Sequence, residues 1–470
     1  MSAPSETIQP TPSISSAVPP VTANKPPHVL IGGAGLAGLF LGILLERAGI
    51  PYEIFERSAE PRPLAFEQLG LLEELLSFSK PSFGIVMLTD KLKLIGKTVA
   101  NCSDLIGYDR VLFARPELHD MLFKKIPKEK IHMSKKIVTL DQDEDGVTVT
   151  FDDNTTAHGD ILVGADGAHS AVRQHLYKAL EKDGLLPKSD TEDTSKGYIS
   201  LVGMTNALDP VTYPGVLEKE SEAFFMVGDK DTPYTWVTFT IPGNRICWNI
   251  VIQLGLSSTA DEHAVSLDWT NQDNKKMLDE IRHFKTPYGT MGDLFDATDI
   301  EKVSKVYFED KLFETWTHGR TVLIGDAAHM LLPSSGAGAV NAMQDAVLLA
   351  NHLYDINPTT FKNIKTALSD YKNERFDAIK DQYPQSHMSA KLTYGHTLWE
   401  RILRYVVFNW LPESLRNKQM VKDTAYRPQA NFLPEAAKRG SMDIIPQRPS
   451  KRTEKEKEEA AKNEAASTAL

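Results

Sequence analysis

The sequence predicts a mixed α/β protein in which a parallel-sheet domain is interleaved with an antiparallel-sheet domain and followed by C-terminal helices. Three glycine-rich motifs lie far apart in the chain, and each follows an apolar run typical of a buried parallel strand. Between the second and third motifs the chain changes to alternating, aromatic-rich segments, which are typical of an antiparallel sheet. Because the third motif returns to the first pattern, the two domains are expected to alternate along the chain.

The first motif, GGAGLAG, follows the apolar run Val29–Ile31 and opens a pattern of helical period. This order predicts a strand, a tight turn and a helix, as in a Rossmann-like dinucleotide-binding unit. In such a unit Gly33 permits the turn, Gly35 lets the backbone approach a pyrophosphate, and Gly38 lets the helix pack closely on the strand. The phosphates would then face the free N–H groups at the helix N-terminus.

Glu56 supplies the acidic residue of the same unit. It ends the next predicted strand about 20 residues after the glycines, where a carboxylate can accept hydrogen bonds from ribose hydroxyls. A lone GxGxxG also occurs as an ordinary turn into a helix, so it is the combination of strand, helix and acid that favours a dinucleotide site. Ala34 and Arg57 flank these residues and are expected to contact the same ligand.

The second motif, GADGAHSAVR, follows another predicted buried strand. Asp166 and Gly167 would turn sharply at the carboxyl end of that strand, where open α/β sheets bind ligands. Asp-Gly is also among the commonest turn pairs, but Ser170 and the Val172-Arg173 pair make this motif more specific.

The third motif, GDAAHMLLPSSGAG, again follows a predicted strand. Asp326 at the strand end can bind a polyol chain, while Gly336 and Gly338 open a helix whose N–H groups and positive dipole end suit a flat, negatively charged ring. We interpret His329 as a core histidine rather than a catalytic one. The helix is predicted by an apolar stripe of Val340, Met343, Val347 and Ala350.

The alternating region from about Tyr198 to Leu254 predicts an antiparallel sheet with a hairpin turn at Pro242-Gly243-Asn244. One face of this sheet can form the apolar wall of a substrate pocket. Its candidate aromatic residues are Phe224, Phe225, Trp236, Phe239 and Trp248. For any one of them we favour a place in the core of the sheet, because buried aromatic residues are usually structural.

Composition fits a soluble enzyme of about two domains, because 470 residues can bury a large core. The net charge of −11 argues against a nucleic-acid binder, since phosphate neutralisation needs a basic face. Cys102 and Cys247 cannot form a disulfide framework, and no His or Cys cluster has metal-ligand spacing, so we expect no metal and a reducing, cytoplasmic compartment.

We divide the chain into six segments. They are a disordered leader at 1–26, two parts of the dinucleotide domain at 27–185 and 301–395, the substrate-binding sheet at 186–300, a helical segment at 396–449 and a disordered charged tail at 450–470. Within the first part we predict helices at about 66–78 and 116–124 and a hairpin turn at 141–146.

The stretch from Thr397 to Leu411, TLWERILRYVVFNWL, mixes apolar residues with Arg401 and Arg404. Such a helix can make weak contact with a membrane surface, which would make the protein peripheral. A core or interdomain helix is the alternative, and we favour it. The chain contains no apolar stretch of about 18 residues that would span a bilayer.

The order of the three motifs resembles the single-component FAD-dependent aromatic-ring hydroxylases and epoxidases, the family that includes salicylate hydroxylase and zeaxanthin epoxidase. The similarity extends from about His28 to Pro446 and is greatest to fungal monooxygenases of secondary metabolism. It implies a FAD-binding domain with NAD(P)H and O2 as co-substrates and a small organic substrate. The FAD-binding residues that it implies are Gly33, Ala34, Gly35, Gly38, Glu56, Arg57, Arg115, Asp166, Gly167, Asp326, Ala328, Pro333, Gly336, Gly338 and Asn341.

The resemblance also assigns roles. The glycines and acid of the first motif hold the ADP part, Arg115 contacts the flavin chain, and Asp326 binds the ribityl group. Asp166 and Gly167 match a motif that contacts both FAD and reduced nicotinamide, while the third motif's proline and glycines line the flavin ring. In the family, NAD(P)H reduces FAD and a flavin C4a-hydroperoxide passes oxygen to an electron-rich aromatic ring or alkene. No motif places an acid or base, so we assign no catalytic residue.

The chain departs from the family pattern after ERSAEPRPL. It runs from Leu64 straight into Ala65-Phe66-Glu67, where similar proteins have a further glycine-containing strand and turn. The gap is either a genuine shortening or an exon lost from a gene model, and it would loosen FAD. Two alternatives to a monooxygenase follow: a flavin-binding protein with impaired or no turnover, and a flavin-dependent reductase or halogenase on the same fold. The halogenase signature Trp-x-Trp-x-Ile-Pro does not occur in the sequence.

Overall fold

The computed structural model describes residues 25–57, 69–82, 84–99, 102–229, 232, 234–254, 278–443 and 445–468. Most of the predicted leader and the predicted gap after Leu64 lie outside these residues. The helices, numbered in chain order, are α1 (Leu36–Ala48), α2 (Leu72–Ser77), α3 (Cys102–Ile106), α4 (Arg115–Phe123), α5 (Ala171–Lys182), α6 (Lys188–Thr191), α7 (Met291–Asp296), α8 (Gly338–Tyr354), α9 (Phe361–Tyr394), α10 (Leu398–Trp410), α11 (Glu413–Thr424) and α12 (Lys451–Thr468).

The strands are numbered in the same way. They are β1 (Val29–Gly32), β2 (Tyr52–Glu56), β3 (Ser79–Ser82), β4 (Gly84–Thr89), β5 (Leu94–Val99), β6 (Arg110–Phe113), β7 (Ile131–Met133), β8 (Ile137–Gln142), β9 (Val147–Phe151), β10 (Thr156–Gly159), β11 (Ile161–Gly164), β12 (Ser195–Met204), β13 (Ala223–Val227), β14 (Tyr234–Ile241), β15 (Arg245–Gln253), β16 (Lys285–Thr286), β17 (Gly289–Thr290), β18 (Ser304–Leu312), β19 (Thr317–His318), β20 (Thr321–Leu323) and β21 (His329–Met330).

A six-stranded sheet of order β19-β20-β11-β1-β2-β7 brings the three motifs together. The strands β20, β11, β1 and β2 are parallel neighbours, and Gly32 pairs with Gly164, which in turn pairs with Leu323. The three motif strands therefore end at the same edge of the sheet, although they are far apart in the sequence. The helix α1 packs against β2 and α8, and ten of its residues are buried.

An eight-stranded sheet of order β21-β18-β12-β15-β14-β13-β4-β5 forms the second layer. The predicted hairpin joins β14 to β15, with Gly243 and Asn244 at positive φ in the turn. The predicted hairpin at 141–146 joins β8 to β9. The mixed α/β fold that the sequence predicts is thereby confirmed.

The two faces of the eight-stranded sheet have different neighbours. Trp236, Trp248 and Ile250 lie on what we call the outer face, in a buried cluster with Phe295 of α7. On the opposite, inner face, Val251 clusters with Tyr198, Phe308, Tyr394 and Leu332, the last of which belongs to the third motif. The inner face is thus the one turned toward the parallel-sheet domain.

The structure differs from two predictions, one at the C-terminal tail and one at the helix before β3. The segment 450–470, predicted as a disordered tail, contains the helix α12. Ser450 caps its start by accepting the N–H of Thr453, and Arg452 pairs with Glu456 one turn later. Ala, Glu and Lys are strong helix formers, so this composition supports a solvated helix without an apolar face. The helix predicted at 66–78 is described from Leu72 onward.

A buried histidine in the turn between α9 and α10 makes the fold sensitive to acid. His396 contacts the hydroxyl of Thr235, and its backbone N–H donates to Gln253. Burial, together with the nearby charges of Arg404 and Arg401, lowers the pKa of His396 to about 4. Between the ordinary pKa near 6.5 and this value, the unfolded chain binds a proton that the folded protein does not. Stability should therefore fall as the pH is lowered through this range.

Between pH 7 and pH 4, we expect the free energy of unfolding to fall by about 3 kcal/mol more in the wild-type protein than in His396→Asn. Chemical denaturation at a series of pH values measures this difference. His318→Asn, at an exposed histidine of β19, is the control and should keep the wild-type pH dependence. Parallel pH profiles for the wild type and His396→Asn would contradict the prediction.

Candidate functional site

A cleft of about 450 Å³ opens where β1, β2 and β11 end. It is lined by residues of the first two motifs and of the β2 end, so the fold brings together positions that are far apart in sequence, from Gly32 to Gln174. The predicted residues along it are Gly33, Ala34, Gly35, Glu56, Arg57, Asp166 and Gly167. Lys135 and Lys136 also border the cleft, and sequence reasoning missed them because no motif marks the residues after β7.

The three glycines of the first motif differ in what surrounds them. Gly33 has a φ of +105°, and a Cβ there would lie 2.5 Å from the carbonyl oxygen of Ala165. A Cβ on Gly38 would lie 2.0 Å from the carbonyl oxygen of Gly33, so this glycine permits close packing. A Cβ on Gly35 would meet only Ala165 O, at 3.7 Å, which leaves open space beside it. The fold therefore requires Gly33 and Gly38, whereas Gly35 borders the ligand space.

Glu56 is tied directly to the turn. One of its carboxylate oxygens accepts the N–H of Ala34 at 2.7 Å. The helix α1 starts after Gly35 with no side chain capping its first N–H groups. An acid beside an uncapped helix N-terminus suits a ribose next to a pyrophosphate, because the N–H groups can bind the phosphates.

Asp166 has a structural task in the second motif. Its carboxylate accepts hydrogen bonds from the Ser170 hydroxyl and from the N–H groups of Ala171 (2.6 Å) and Val172 (3.2 Å). Burial raises the pKa of Asp166, and these donors oppose the rise. The carboxylate thus starts α5 and shapes the turn through Gly167, whose φ is +80°.

Arg173, the last residue of the second motif, connects it to the third. Its guanidinium donates to the carbonyl oxygens of Ala168 and Ala327, the latter at 2.9 Å, and lies 4.2 Å from the ring centre of Phe313. The side chain is buried. The Val-Arg ending of the motif was a signal for this role, but the sequence does not say which carbonyls the arginine meets.

Asp326 differs from the rest of its segment in the third motif by its exposure to solvent. Every residue from 321 to 332 is buried except Asp326, which is exposed. It follows Gly325, whose φ of +60° makes the turn that presents the acid. Desolvation by the surrounding protein raises the pKa of the Asp326 carboxyl, and the nearby charges of His329 and Arg115 partly offset the rise. Arg115 begins α4 and is itself exposed. An accessible acid beside an arginine fits a hydroxyl-bearing chain such as ribityl.

The turn that carries Asp326 is held by a buried acid that sequence reasoning missed. Asp345 on α8 accepts the N–H of Gly325 at 2.7 Å, His329 Nε2 at 2.7 Å and Arg375 Nε at 2.6 Å. Burial alone would raise the pKa of Asp345, but the charges and hydrogen bonds of His329 and Arg375 outweigh it and lower the pKa to about 2. The prediction that His329 is a core histidine is confirmed, since it is 2% exposed and bound to this acid.

Three residues implied as FAD ligands also make contacts within the scaffold. Asn341 is buried, and its side chain bonds to Gln382 and Arg375. Ala328 is fully buried, with its N–H bonded to Gly325 O. Gly38 lies under the glycine turn. Their side-chain positions face the protein, so the structure gives them a supporting role, and their contact with FAD stays a prediction.

The start of α8 provides an open surface. Pro333 and Gly336 are exposed, and a Cβ on Gly336 or Gly338 would meet nothing within 4 Å. No side chain caps the first turn of α8. Open glycines and an uncapped, positive helix end are what a flat ring with negative charge needs, so these residues fit the ring of FAD.

The substrate candidates divide between the two faces of the eight-stranded sheet. Phe239 lies on the inner face and is partly exposed. Three residues in neighbouring positions of this face are also partly exposed: Phe225, Cys247 and Asn249. Burial raises the pKa of the Cys247 thiol to about 12, so that thiol is neutral. At the end of β15, Arg245 pairs with Glu117 of α4 beside this face.

The other three candidates are incorrect as lining residues. Trp236, Trp248 and Phe224 lie on the outer face, where they pack against Phe284, Phe295 and Tyr288 with ring centres 4.5, 4.9 and 6.0 Å apart. Strand alternation puts Trp236 and Phe239 on opposite faces because they are three residues apart. The alternation of side chains can be read from the sequence, but it does not show which face of the sheet meets the parallel-sheet domain.

A family model described as "FAD binding domain" matches residues 27–194 and 249–382. Among curated proteins, the chain is 28% identical over 406 residues to the FAD-dependent monooxygenase olcE of Penicillium canescens, covering 81% of this chain and 84% of that protein. It is 26% identical over 444 residues to the FAD-dependent monooxygenase paxM of Penicillium paxilli, covering 88% of each.

Solved structures share the fold. The HpxO protein of Klebsiella pneumoniae, complexed with FAD and uric acid, superposes with a TM-score of 0.66 at 20% identity over 84% of this chain and 96% of that one. The 2,6-dihydroxypyridine-3-hydroxylase of Arthrobacter nicotinovorans gives a TM-score of 0.62 at 18% identity over 80% and 95%.

The open space at Gly35 leads to a first prediction about the site. Gly35→Val should abolish flavin retention while the protein still folds, because the side chain would occupy space left for a pyrophosphate. Flavin absorbance per protein after purification measures this, with circular dichroism as the check on folding. Gly197→Ala, where a Cβ would meet nothing within 4 Å, is the control and should keep its flavin. A folded Gly35→Val protein with full flavin content would refute this placement of the phosphates.

The exposure of Asp326 leads to a second prediction. Asp326→Ala should weaken FAD binding some ten- to a hundredfold, which corresponds to losing one charge-assisted hydrogen bond of about 1.5–3 kcal/mol. Titration of the apoprotein with FAD gives the dissociation constant. Asp183→Ala, at an exposed acid after α5, serves as the control. An unchanged dissociation constant for Asp326→Ala would move the ribityl ligand elsewhere.

Proposed function

The chain belongs to the FAD binding domain family, and from this premise we propose that it is a FAD-dependent monooxygenase that uses NAD(P)H and O2. Its substrate is a small, electron-rich organic molecule, aromatic or alkene, which it hydroxylates or epoxidises. The fungal relatives of similar length, which are named FAD-dependent monooxygenases, support this proposal.

One observation carries the proposal: the glycine turn of the first motif and Asp326 of the third follow β1 and β20, two strands of one sheet with only β11 between them, while the inner face of the other sheet lies beside the third motif. An extended dinucleotide bound along the motif edge would therefore reach from the Glu56 cleft to the start of α8. Its ring end would meet the face that carries Phe225 and Phe239.

Each part of the chain then has a task. Ala34 and Gly35 would bind the pyrophosphate and Glu56 the adjoining ribose, while Asp326 and Arg115 would hold the middle of the cofactor. When bound, FAD supplies the redox chemistry, taking up electrons from NAD(P)H and activating O2. Pro333 and the α8 start position its ring, and the positive end of α8 stabilises negative charge there.

The inner face gives the substrate a largely apolar wall. Phe225 and Phe239 supply aromatic surface, while Asn249 offers a polar group that accepts a hydrogen bond from Ser200. Such a wall binds by shape and apolar contact and keeps water from the reacting atoms, which favours oxygen transfer over release of peroxide. The Arg245–Glu117 pair at the margin of this face would contact polar groups of the substrate.

The proposal predicts that one atom of O2 enters the product. The purified yellow protein, supplied with NAD(P)H and isotopically labelled O2, is tested against a panel of aromatic and isoprenoid substrates, and products are read by mass spectrometry. We expect a product carrying one labelled oxygen atom. A new oxygen atom that is unlabelled, and so derives from water, or a product formed without O2 would contradict a monooxygenase, and a product without a new oxygen atom would point to the reductase or halogenase alternative.

The alternative of impaired turnover has its own readout. If the gap after Leu64 disables the enzyme, NAD(P)H oxidation should release an equal amount of hydrogen peroxide, because water then reaches the site. Inserting the corresponding segment of the paxM protein after Leu64 should in that case lower the peroxide yield and tighten FAD. Equal coupling and equal FAD affinity in both proteins would show that the segment is dispensable.

A further inference from the structure

The helix α10 turns its apolar side toward solvent. Along one side of this helix lie Leu398, Trp399, Ile402, Leu403, Val406 and Trp410, all of them exposed. The two tryptophans, at 78% and 71% exposed, mark the two ends of the helix. Large apolar side chains seldom form a continuous exposed surface on a monomer, and such a surface usually marks an interaction site. The exposed side is not that of a core helix, although α10 also packs against β5 and α9 as an interdomain helix would.

The opposite side of α10 fixes this orientation. Arg404 is 2% exposed, and its guanidinium donates to the carbonyl oxygens of Leu392, at 2.6 Å, and Gly395. Asn409 is not on that buried side; it is exposed, and it donates to Ile95 O of β5 at 2.8 Å near the end of α10. At the N-terminus, Thr397 and Glu400 form a capping box. Rotating the helix to bury its apolar side would separate the Arg404 guanidinium from its carbonyl partners. The bonds of the buried arginine therefore keep the apolar side facing outward.

Neighbouring segments extend the apolar surface and add positive charge. Leu94 on β5 and Leu415 on α11 are also exposed. Lys91 and Lys93 come shortly before Leu94 in the chain, and both are exposed. The helix α11, which follows α10, carries Arg416, Lys418 and Lys422 in the stretch 414–422, with Glu413 and Asp423 on either side, so the helix has one net positive charge. This local charge contrasts with the net charge of −11 for the whole chain.

We propose that the surface formed by α10, Leu94 and the basic stretch 414–422 docks the protein onto an anionic lipid membrane. Apolar residues along one helix side, tryptophan at both ends and lysine and arginine at the margin are what a helix lying in the headgroup layer needs. At 13 residues α10 is too short to cross a bilayer, since a span needs about 20. No helix among the described residues is long and apolar enough to do so.

The docking surface adjoins the inner face of the eight-stranded sheet. Phe408 of α10 lies against Gly96 of β5, where an added Cβ would come within 2.6 Å of it. Across the sheet Gly96 pairs with Met87, which pairs with Phe225 of the inner face. Docking would thus hold the substrate wall beside the membrane, which suits an apolar substrate that partitions into lipid. This second step rests on the proposed function, whereas the docking itself does not.

Vesicle flotation with the full-length flavoprotein tests the docking. We expect the protein to float with vesicles of phosphatidylcholine and phosphatidylserine, and to bind more weakly as salt is raised, because part of the attraction is electrostatic. The double variant Trp399→Ser/Trp410→Ser should bind at least tenfold more weakly, which corresponds to about 1.4 kcal/mol. Val211→Ser, at an apolar residue that is 88% exposed elsewhere, is the matched control and should float like the wild type.

Three outcomes would overturn the docking proposal. One is wild-type protein that does not float with these vesicles, and another is flotation that the tryptophan substitutions leave unchanged. The third is a wild-type dimer in gel filtration that becomes a monomer in the double variant, which would make a second copy of the chain the occupant. Flavin content and NAD(P)H oxidation without vesicles should be the same in all variants, so failure of docking is separable from failure of the proposed function.

Discussion

The buried carboxylate of Asp345 is the interaction on which the geometry of the site depends. It joins the turn at Gly325, His329 beyond it and Arg375 on the long helix α9, with all three contacts at 2.6–2.7 Å. A buried charge is costly unless it is fully paired, and removing one partner of such a group leaves the other uncompensated. These three contacts therefore fix the position of the turn at Gly325. The residue that follows Gly325 is Asp326, which lies exposed in an otherwise buried segment.

Arg173 adds a second connection that crosses the sequence. Its bonds to Ala168 and Ala327 join the second motif to the third, which begins more than 150 residues later. The parallel pairing of β1, β11 and β20 does the same at the level of the backbone. Because these links are between distant parts of the chain, the cofactor cleft and the start of α8 are parts of one framework, and the antiparallel sheet is inserted between them in sequence rather than appended.

The two faces of the eight-stranded sheet have different roles: the outer face packs into a core, and the inner face keeps side chains that a substrate can reach. The outer face is closed by α7 and by tightly packed tryptophans, and it forms a core of its own. On the inner face, the end near Tyr198, Phe308 and Tyr394 is packed, while Phe239, Cys247 and Asn249 stay partly exposed. The helix α10 continues this division at the sheet edge, with a buried arginine on one side and exposed tryptophans on the other.

The sequence by itself determined the features that depend on neighbouring residues. The roles of Gly33 and Gly38, the strand that ends in Glu56 and the hairpins follow from backbone sterics and local periodicity, and the structure has each of them. Tertiary structure alone decided which acid supports the Asp326 turn, because Asp345 and Arg375 lie 30 residues apart on different helices and belong to no motif.

Tertiary structure also decided which side of each amphipathic element faces inward. Alternation separates Trp236 from Phe239, yet only the packing of α7 on one face and of the third motif on the other shows which of them can meet a substrate. The same holds for α10, whose composition suits either a core or a lipid surface. The bonds that bury Arg404 set its orientation, and these involve carbonyl groups that a pattern of side chains does not reveal.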